Sequence, residues 1–119
     1  MIVRLNTAYR QFASVPGYEY QVGIAVPFRL PEPSGLPSPE ENVELDAVEN
    51  NILDSLEDGA ESLLVAVITT SGMREFVFYT RDRKALQRQF EELRQRTITH
   101  EIQLMIQPDK TWEIYAQLY

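Results

Sequence analysis

The chain has 119 residues, 44% hydrophobic and 24% charged, a length and balance that fit one globular domain, residues 1–119, burying roughly two-thirds of its unfolded surface. It contains no cysteine, which excludes disulfides, thiolate catalysis and zinc–thiolate sites, and its net charge of −7 disfavours nucleic acid and anionic membranes as partners. No apolar run reaches the ~18 residues of a membrane helix, and the start Met1-Ile2-Val3-Arg4-Leu5-Asn6 lacks the apolar core of a signal peptide, so a cytoplasmic protein is expected.

Ile2 to Tyr9 reads as an opening strand, and Val15-Pro16-Gly17 as a turn. From Tyr18 to Phe28 residues alternate: Tyr18, Tyr20, Val22, Ile24, Val26 and Phe28 on one side, Glu19, Gln21, Gly23, Ala25 and Pro27 on the other. That is a strand with one bulky apolar face and one small face open to close approach. Leu30 to Pro39, with four prolines and one glycine, is a loop. Ser38-Pro39-Glu40-Glu41 starts a helix: Ser38 caps, Pro39 suits the first helical position, and Glu41 closes a capping box. Leu45, Val48, Ile52 and Leu56 form its core stripe, and Asp58-Gly59 ends it.

Leu63 to Thr80 predicts a hairpin turning at Ser71-Gly72. Every residue from Leu63 to Ile68 is apolar, so both faces of this strand require burial. A strict two-residue loop puts Val65, Val67, Phe76 and Phe78 on one face; a bulge pairs Phe76 and Phe78 with Ala66 and Ile68 instead. Asp82 to Arg96 is a second helix with Leu86, Phe90 and Leu93 inward, and Glu101 to Gln107 a last strand with Ile102, Leu104 and Ile106 inward. Pro108-Asp109-Lys110 breaks it, and Thr111 to Tyr119 is a short terminal helix or an extended tail.

From Tyr18 the order is strand, helix, strand, strand, helix, strand. This predicts an α+β, ferredoxin-like βαββαβ antiparallel sheet with an extra N-terminal strand and a short C-terminal helix. Between Glu32 and Glu61 every charged residue is acidic, whereas Arg81, Arg83, Lys84, Arg88, Arg94 and Arg96 dominate the second helix. Complementary charge between neighbouring helices is the expected reason.

Several stretches carry a family resemblance: Ile2-Val3-Arg4-Leu5-Asn6, Val22-Gly23-Ile24-Ala25-Val26-Pro27, and Gly35-Leu36-Pro37 with Glu40 and Glu41. The most specific runs from Ala66 to Thr80, and Gln103 and Asp109-Lys110-Thr111-Trp112-Glu113-Ile114-Tyr115 complete the set. On these, residues 2–119 resemble the bacterial family called domain of unknown function 695. The resemblance implies a relative of ferredoxin-like domains and a bacterial source, and supplies no activity or active-site residues. The layout and acidity are also similar to small protein inhibitors of ribonuclease E.

Chemistry-bearing motifs are sparse. His100 is the only histidine, with no second imidazole or thiolate to build a metal site, and reads as a surface or cap residue. No nucleophile elbow, phosphate loop or dinucleotide fingerprint is present, and no cofactor is expected. Thr69, Thr70, Ser71, Arg74 and Glu75 gather hydroxyls, a cation and a carboxylate at the hairpin tip, as turn chemistry with a cross-strand ion pair or as a small anion site. Val77, Tyr79, Arg81, Gln103 and Met105 are candidates for a sheet surface, and Trp112, Tyr115 and Tyr119 for docking the terminal segment or for an interface.

The expected function is a non-catalytic protein-binding or regulatory module. The sheet face without helices needs a cover, from a second copy in a homodimer, a protein partner or the terminal segment. The alternative is a small-ligand binder or enzyme using Arg74, Glu75, Tyr79 and Arg81, which requires those side chains to converge. RNA binding on the sheet has the right topology but lacks the aromatic motif and positive field.

Overall fold

The computed structural model describes residues 1–9, 14–29, 32–57 and 61–118. In chain order these form β1 (Ile2–Leu5), a 3-10 turn (Thr7–Tyr9), β2 (Tyr20–Pro27), α1 (Pro39–Leu56), β3 (Ser62–Thr70), β4 (Met73–Thr80), α2 (Arg83–Arg96), β5 (Gln103–Pro108) and α3 (Glu113–Ala116). The five strands make one antiparallel sheet in the order β1-β3-β4-β2-β5. Without β1 this is the ferredoxin-like arrangement, and β1 extends it beyond β3.

The opening strand is shorter than its apolar pattern suggests. Asn6 stops it: its Nδ2 donates to the Leu64 carbonyl, and its Oδ1 accepts from the Ala8 N–H. A polar side chain that bonds its own backbone offers the chain an alternative to the ladder. Val15-Pro16-Gly17-Tyr18 closes as a turn, the Tyr18 N–H reaching the Val15 carbonyl, with Gly17 at φ 89° in the position that demands positive φ. Strand pairing then begins at Tyr20, and Tyr18, expected beside Tyr20 on the helix side, packs on the opposite face.

Ser38 caps α1 by accepting from the Glu41 N–H, and Pro39 occupies the first turn. The stop at Asp58-Gly59 lies outside the described residues. Asp82 caps α2 through the Ala85 N–H. Leu45, Val48, Ile52 and Leu56 of α1 and Leu86, Phe90 and Leu93 of α2 pack on Val22, Ile24, Val26, Val67, Phe76 and Phe78 of the sheet. The helices are not joined by charge. Among the described residues no ion pair links them: α1 directs Glu49 to Arg4 of β1 and Glu44 to Arg29, while Arg96 of α2 donates to the Ser55 hydroxyl. Exposed pairs contribute little, so apolar burial decides the helix–helix contact.

The hairpin keeps Val67 with Phe76 and Phe78, as the strict two-residue loop requires, but not Val65; the alternative pairing of Phe76 and Phe78 with Ala66 and Ile68 does not form, because both of those residues lie on the other face. Its tip is a strict two-residue loop, with Thr70 opposite Met73 and Val67 opposite Phe76. A bulge follows at Val65, so that Ala66 faces Val77 but Leu64 faces Phe78. Leu64 and Val67 therefore serve the helix side, whereas Val65 and Ala66 both enter a second cluster on the other face.

That second cluster joins Tyr18, Val65, Ala66, Val77, Tyr79, Trp112 and Tyr115, with Leu5, Tyr9, Val15, Leu63, Ile68 and Leu118 against it. The chain's own terminal segments cover the sheet here. The apolar demand of Val77 and Tyr79 is met within the molecule, whereas Met105 on the same face stays exposed.

Candidate functional site

The aromatic candidates form a plug. Trp112 stacks on Tyr79 with centroids 4.1 Å apart and meets Tyr9 and Tyr115 edge to face. Its indole N–H donates to the Tyr18 carbonyl at 2.8 Å. The Tyr79 hydroxyl donates to Asp109 Oδ2 at 2.6 Å and accepts from the Tyr115 N–H at 3.2 Å. Burial, then the bond to the Asp109 carboxylate, pushes this phenol far above its ordinary range, while the Tyr115 N–H opposes that shift. Asp109 also accepts from the N–H groups of Glu113 and Ile114 and so starts α3, with Trp112 at φ 59° turning the chain into it. Val77, Tyr79, Trp112 and Tyr115 are all buried and offer no surface to a partner. Tyr119 lies outside the described residues.

The polar candidates do not converge. Arg74 and Glu75 are consecutive on β4 and emerge on opposite faces. Glu75, Val77 and Tyr79 share the helix-free face with Gln103 and Met105: one row across the strands is Glu75, Ala25 and Gln103, the next Val77, Gly23 and Met105. Glu75 lies flat over Gly23, where an added Cβ would stand 2.9 Å from its Oε2, and burial raises its carboxyl above the ordinary range. Gln103 and Met105 are exposed on the edge strand. Arg81, beyond the strand end, is exposed with its guanidinium 5.7 Å from the centre of the Tyr18 ring. The pocket that the alternative reading required from Arg74, Glu75, Tyr79 and Arg81 does not form, because strand alternation separates the first pair and the plug encloses Tyr79.

His100 is neither a surface residue nor a cap. It is buried, with Nε2 2.7 Å from Glu41 Oε2 and Nδ1 3.1 Å from the Thr99 hydroxyl. Glu41 also accepts from the Arg29 N–H, so its carboxylate ties the end of β2 and the approach to β5 to the first turn of α1. Among the described residues no three His, Asp or Glu side chains gather as a metal site requires.

A cleft of about 440 Å³ opens on the helix side, between the first turns of α1 and the β1, β3 and β4 end of the sheet. Ile2, Leu36, Pro37 and Val67 give it an apolar lining; Arg4, Asn42, Asp46, Thr69 and Arg74 are its polar groups. Two of its residues, Ile2 and Leu36, are exposed large hydrophobic side chains. The loop carrying Leu36 is anchored to the hairpin tip: the Gly72 N–H donates to the Gly35 carbonyl at 3.0 Å, and the Phe28 N–H to the Gly72 carbonyl at 2.8 Å.

Arg74, partly buried, lies along the cleft wall. Its Nε donates to the Thr69 hydroxyl at 3.2 Å, and one terminal nitrogen is 3.5 Å from Asn42 Oδ1. Among the described residues no carboxylate is within ion-pair distance of Arg74, in contrast to Arg4, whose partner Glu49 is 2.6 Å away. Among the described residues the hairpin tip therefore holds no cross-strand ion pair, and Arg74 reaches across to the Thr69 hydroxyl instead. Arg4, Asn42 and Asp46 were not among the candidates from sequence. The one available signal was that Asn42 and Asp46 are one helical turn apart on the side of α1 next to its core stripe.

The fold and cleft define an α+β domain of ferredoxin-like architecture, extended by an N-terminal strand and closed on its helix-free face by its own termini. The chain belongs to the family of unknown function DUF695, whose model matches residues 1–119. No curated protein and no solved structure matches it. Among the described residues no helix is long and apolar enough to cross a membrane.

Proposed function

We propose that this domain is a binding module whose α1–sheet cleft takes a small organic carboxylate with an apolar body. The observation that carries the reading is the partly buried Arg74 guanidinium, directed by Thr69 and Asn42 but without a carboxylate partner among the described residues. A planar fork held in this way matches a carboxylate through two parallel N–H···O bonds. Ile2, Leu36, Pro37 and Val67 beside it favour an aliphatic body over a bare ion. The acidic surroundings of α1, with Glu40, Glu44, Asp46 and Glu49, disfavour a phosphate dianion. The volume lies within the range of small-ligand sites, about 300–1,000 Å³.

A charge-assisted contact together with a few buried methylenes supports a Kd on the order of 1 mM for a minimal ligand. The test is titration of the isotopically labelled protein with 4-methylpentanoate, followed by NMR. The expected result is saturable shifts at Leu36, Asn42, Thr69 and Arg74, lost in Arg74→Gln and weakened in Arg74→Lys, which keeps the charge but not the fork. Absence of saturable shifts at the cleft, with the spectrum showing a folded protein, overturns the proposal.

A further inference from the structure

The geometry points to a free α-amino acid with an aliphatic side chain as the ligand, its ammonium taken by Asp46; this rests on the carboxylate reading of the cleft. Asn42 and Asp46 are consecutive-turn neighbours on α1, and both line the cleft. Asn42 is 3.5 Å from the Arg74 guanidinium, and Asp46, one helical turn (roughly 5–6 Å) further along α1, lines the same cleft. Among the described residues no cation is within ion-pair distance of Asp46. The other cation among the described lining residues is Arg4, and Glu49 engages it.

The cleft therefore presents a guanidinium and a carboxylate, each lacking an ion-pair partner, a short distance apart beside an apolar wall. A lone carboxylate ligand satisfies Arg74 but is repelled by Asp46, as is the C-terminus of a peptide, whose adjacent nitrogen is a neutral amide. An α-amino acid carries the complementary pair of charges on neighbouring atoms and brings no net charge to a protein of net charge −7. Leu36, Ile2 and Val67 are placed to meet its side chain. Thr69 accepts from Arg74 Nε and Asn42 stands 3.5 Å from one terminal nitrogen, so recognition requires ordering few protein groups.

Three probes separate the sources. L-Leucine has both charges, 4-methylpentanoate is the same skeleton without the ammonium, and N-acetyl-L-leucine mimics a peptide C-terminus. Calorimetry or NMR titration is expected to show L-leucine binding roughly two- to fivefold tighter than either of the others, the size of one exposed charge pair. Asp46→Asn, at an exposed helical position, is expected to erase that preference while 4-methylpentanoate still binds and the spectrum remains that of a folded protein. Equal affinity for leucine and 4-methylpentanoate, or a preference unchanged in Asp46→Asn, overturns the amino-acid assignment and leaves the carboxylate site standing. Tightest binding of N-acetyl-L-leucine overturns it in favour of a peptide C-terminus. Failure of all three probes to bind overturns both readings.

Discussion

Replacing Trp112 by alanine tests whether the terminal segment is part of the core. Its side chain is completely buried, stacked on Tyr79, flanked by Tyr9 and Tyr115, and hydrogen-bonded to the Tyr18 carbonyl. Truncating a buried tryptophan to alanine costs about 3–5 kcal/mol, from lost transfer energy and the cavity left behind. Against a total stability of about 5–15 kcal/mol this removes roughly a fifth or more of the domain's stability. The loss also uncovers Val77, Tyr79 and Ala66, so Trp112→Ala is expected to bind a hydrophobic dye and to self-associate as concentration rises. Trp112→Phe separates the contributions: an aromatic ring remains, but the indole N–H and its bond to the Tyr18 carbonyl are lost, and the cost falls to about 1–3 kcal/mol, from that bond and the smaller ring. Urea denaturation followed by far-UV circular dichroism measures both variants. A loss below about 1 kcal/mol for Trp112→Ala, with no dye binding, would refute the claim that the C-terminal segment seals the helix-free face.

Glu75 carries a raised pKa, so its contribution to stability is greatest below the ordinary carboxylate range and declines as pH rises through the folded value. Glu75→Gln is accordingly expected to match or exceed the native protein at pH 7 and to lose that advantage below pH ~4, as read by thermal melts across pH. A variant less stable than the parent at pH 7 would show that the carboxylate has a stabilising partner. Two glycines should respond differently to alanine. Gly35 has φ 83°, and an added Cβ would stand 2.1 Å from the Ser71 hydroxyl oxygen and 3.1 Å from its Cα, so Gly35→Ala is expected to cost about 1–3 kcal/mol. Gly23 would meet only the far end of Glu75, which can swing outward, so Gly23→Ala is expected to change stability by less than about 1 kcal/mol. Equal effects in equilibrium denaturation would contradict the anchored geometry of the Gly35 loop.

Much of the architecture is local in origin, and was therefore readable along the chain. The alternation from Tyr20 to Pro27, the stripe of Leu45, Val48, Ile52 and Leu56, the cap at Ser38, and the turn at Ser71-Gly72 each depend on neighbours a few residues away. So does the unbroken apolar run in β3, which required cover on both faces. Which cover it received is a long-range outcome: Trp112 reaches Tyr18 across 94 residues, and Tyr115 reaches the Asn6 carbonyl across 109. The bulge at Val65 likewise answers to demands from both sheet faces at once, and no single face reports it.

The candidate site divides in the same way. Residue types suited to binding were visible, Arg74 among them, but their grouping was not. Adjacent residues on a strand point apart, which separated Arg74 from Glu75, and only helix docking set Asn42 and Asp46 beside Arg74. His100, read as a surface or cap residue, and Glu41, read as closing a capping box, are 59 positions apart, and packing encloses them together. Sequence alone determined the elements and their amphipathic faces, because periodicity and capping are short-range. Tertiary structure decided which groups share a cleft or a core, because that depends on how those faces meet in space.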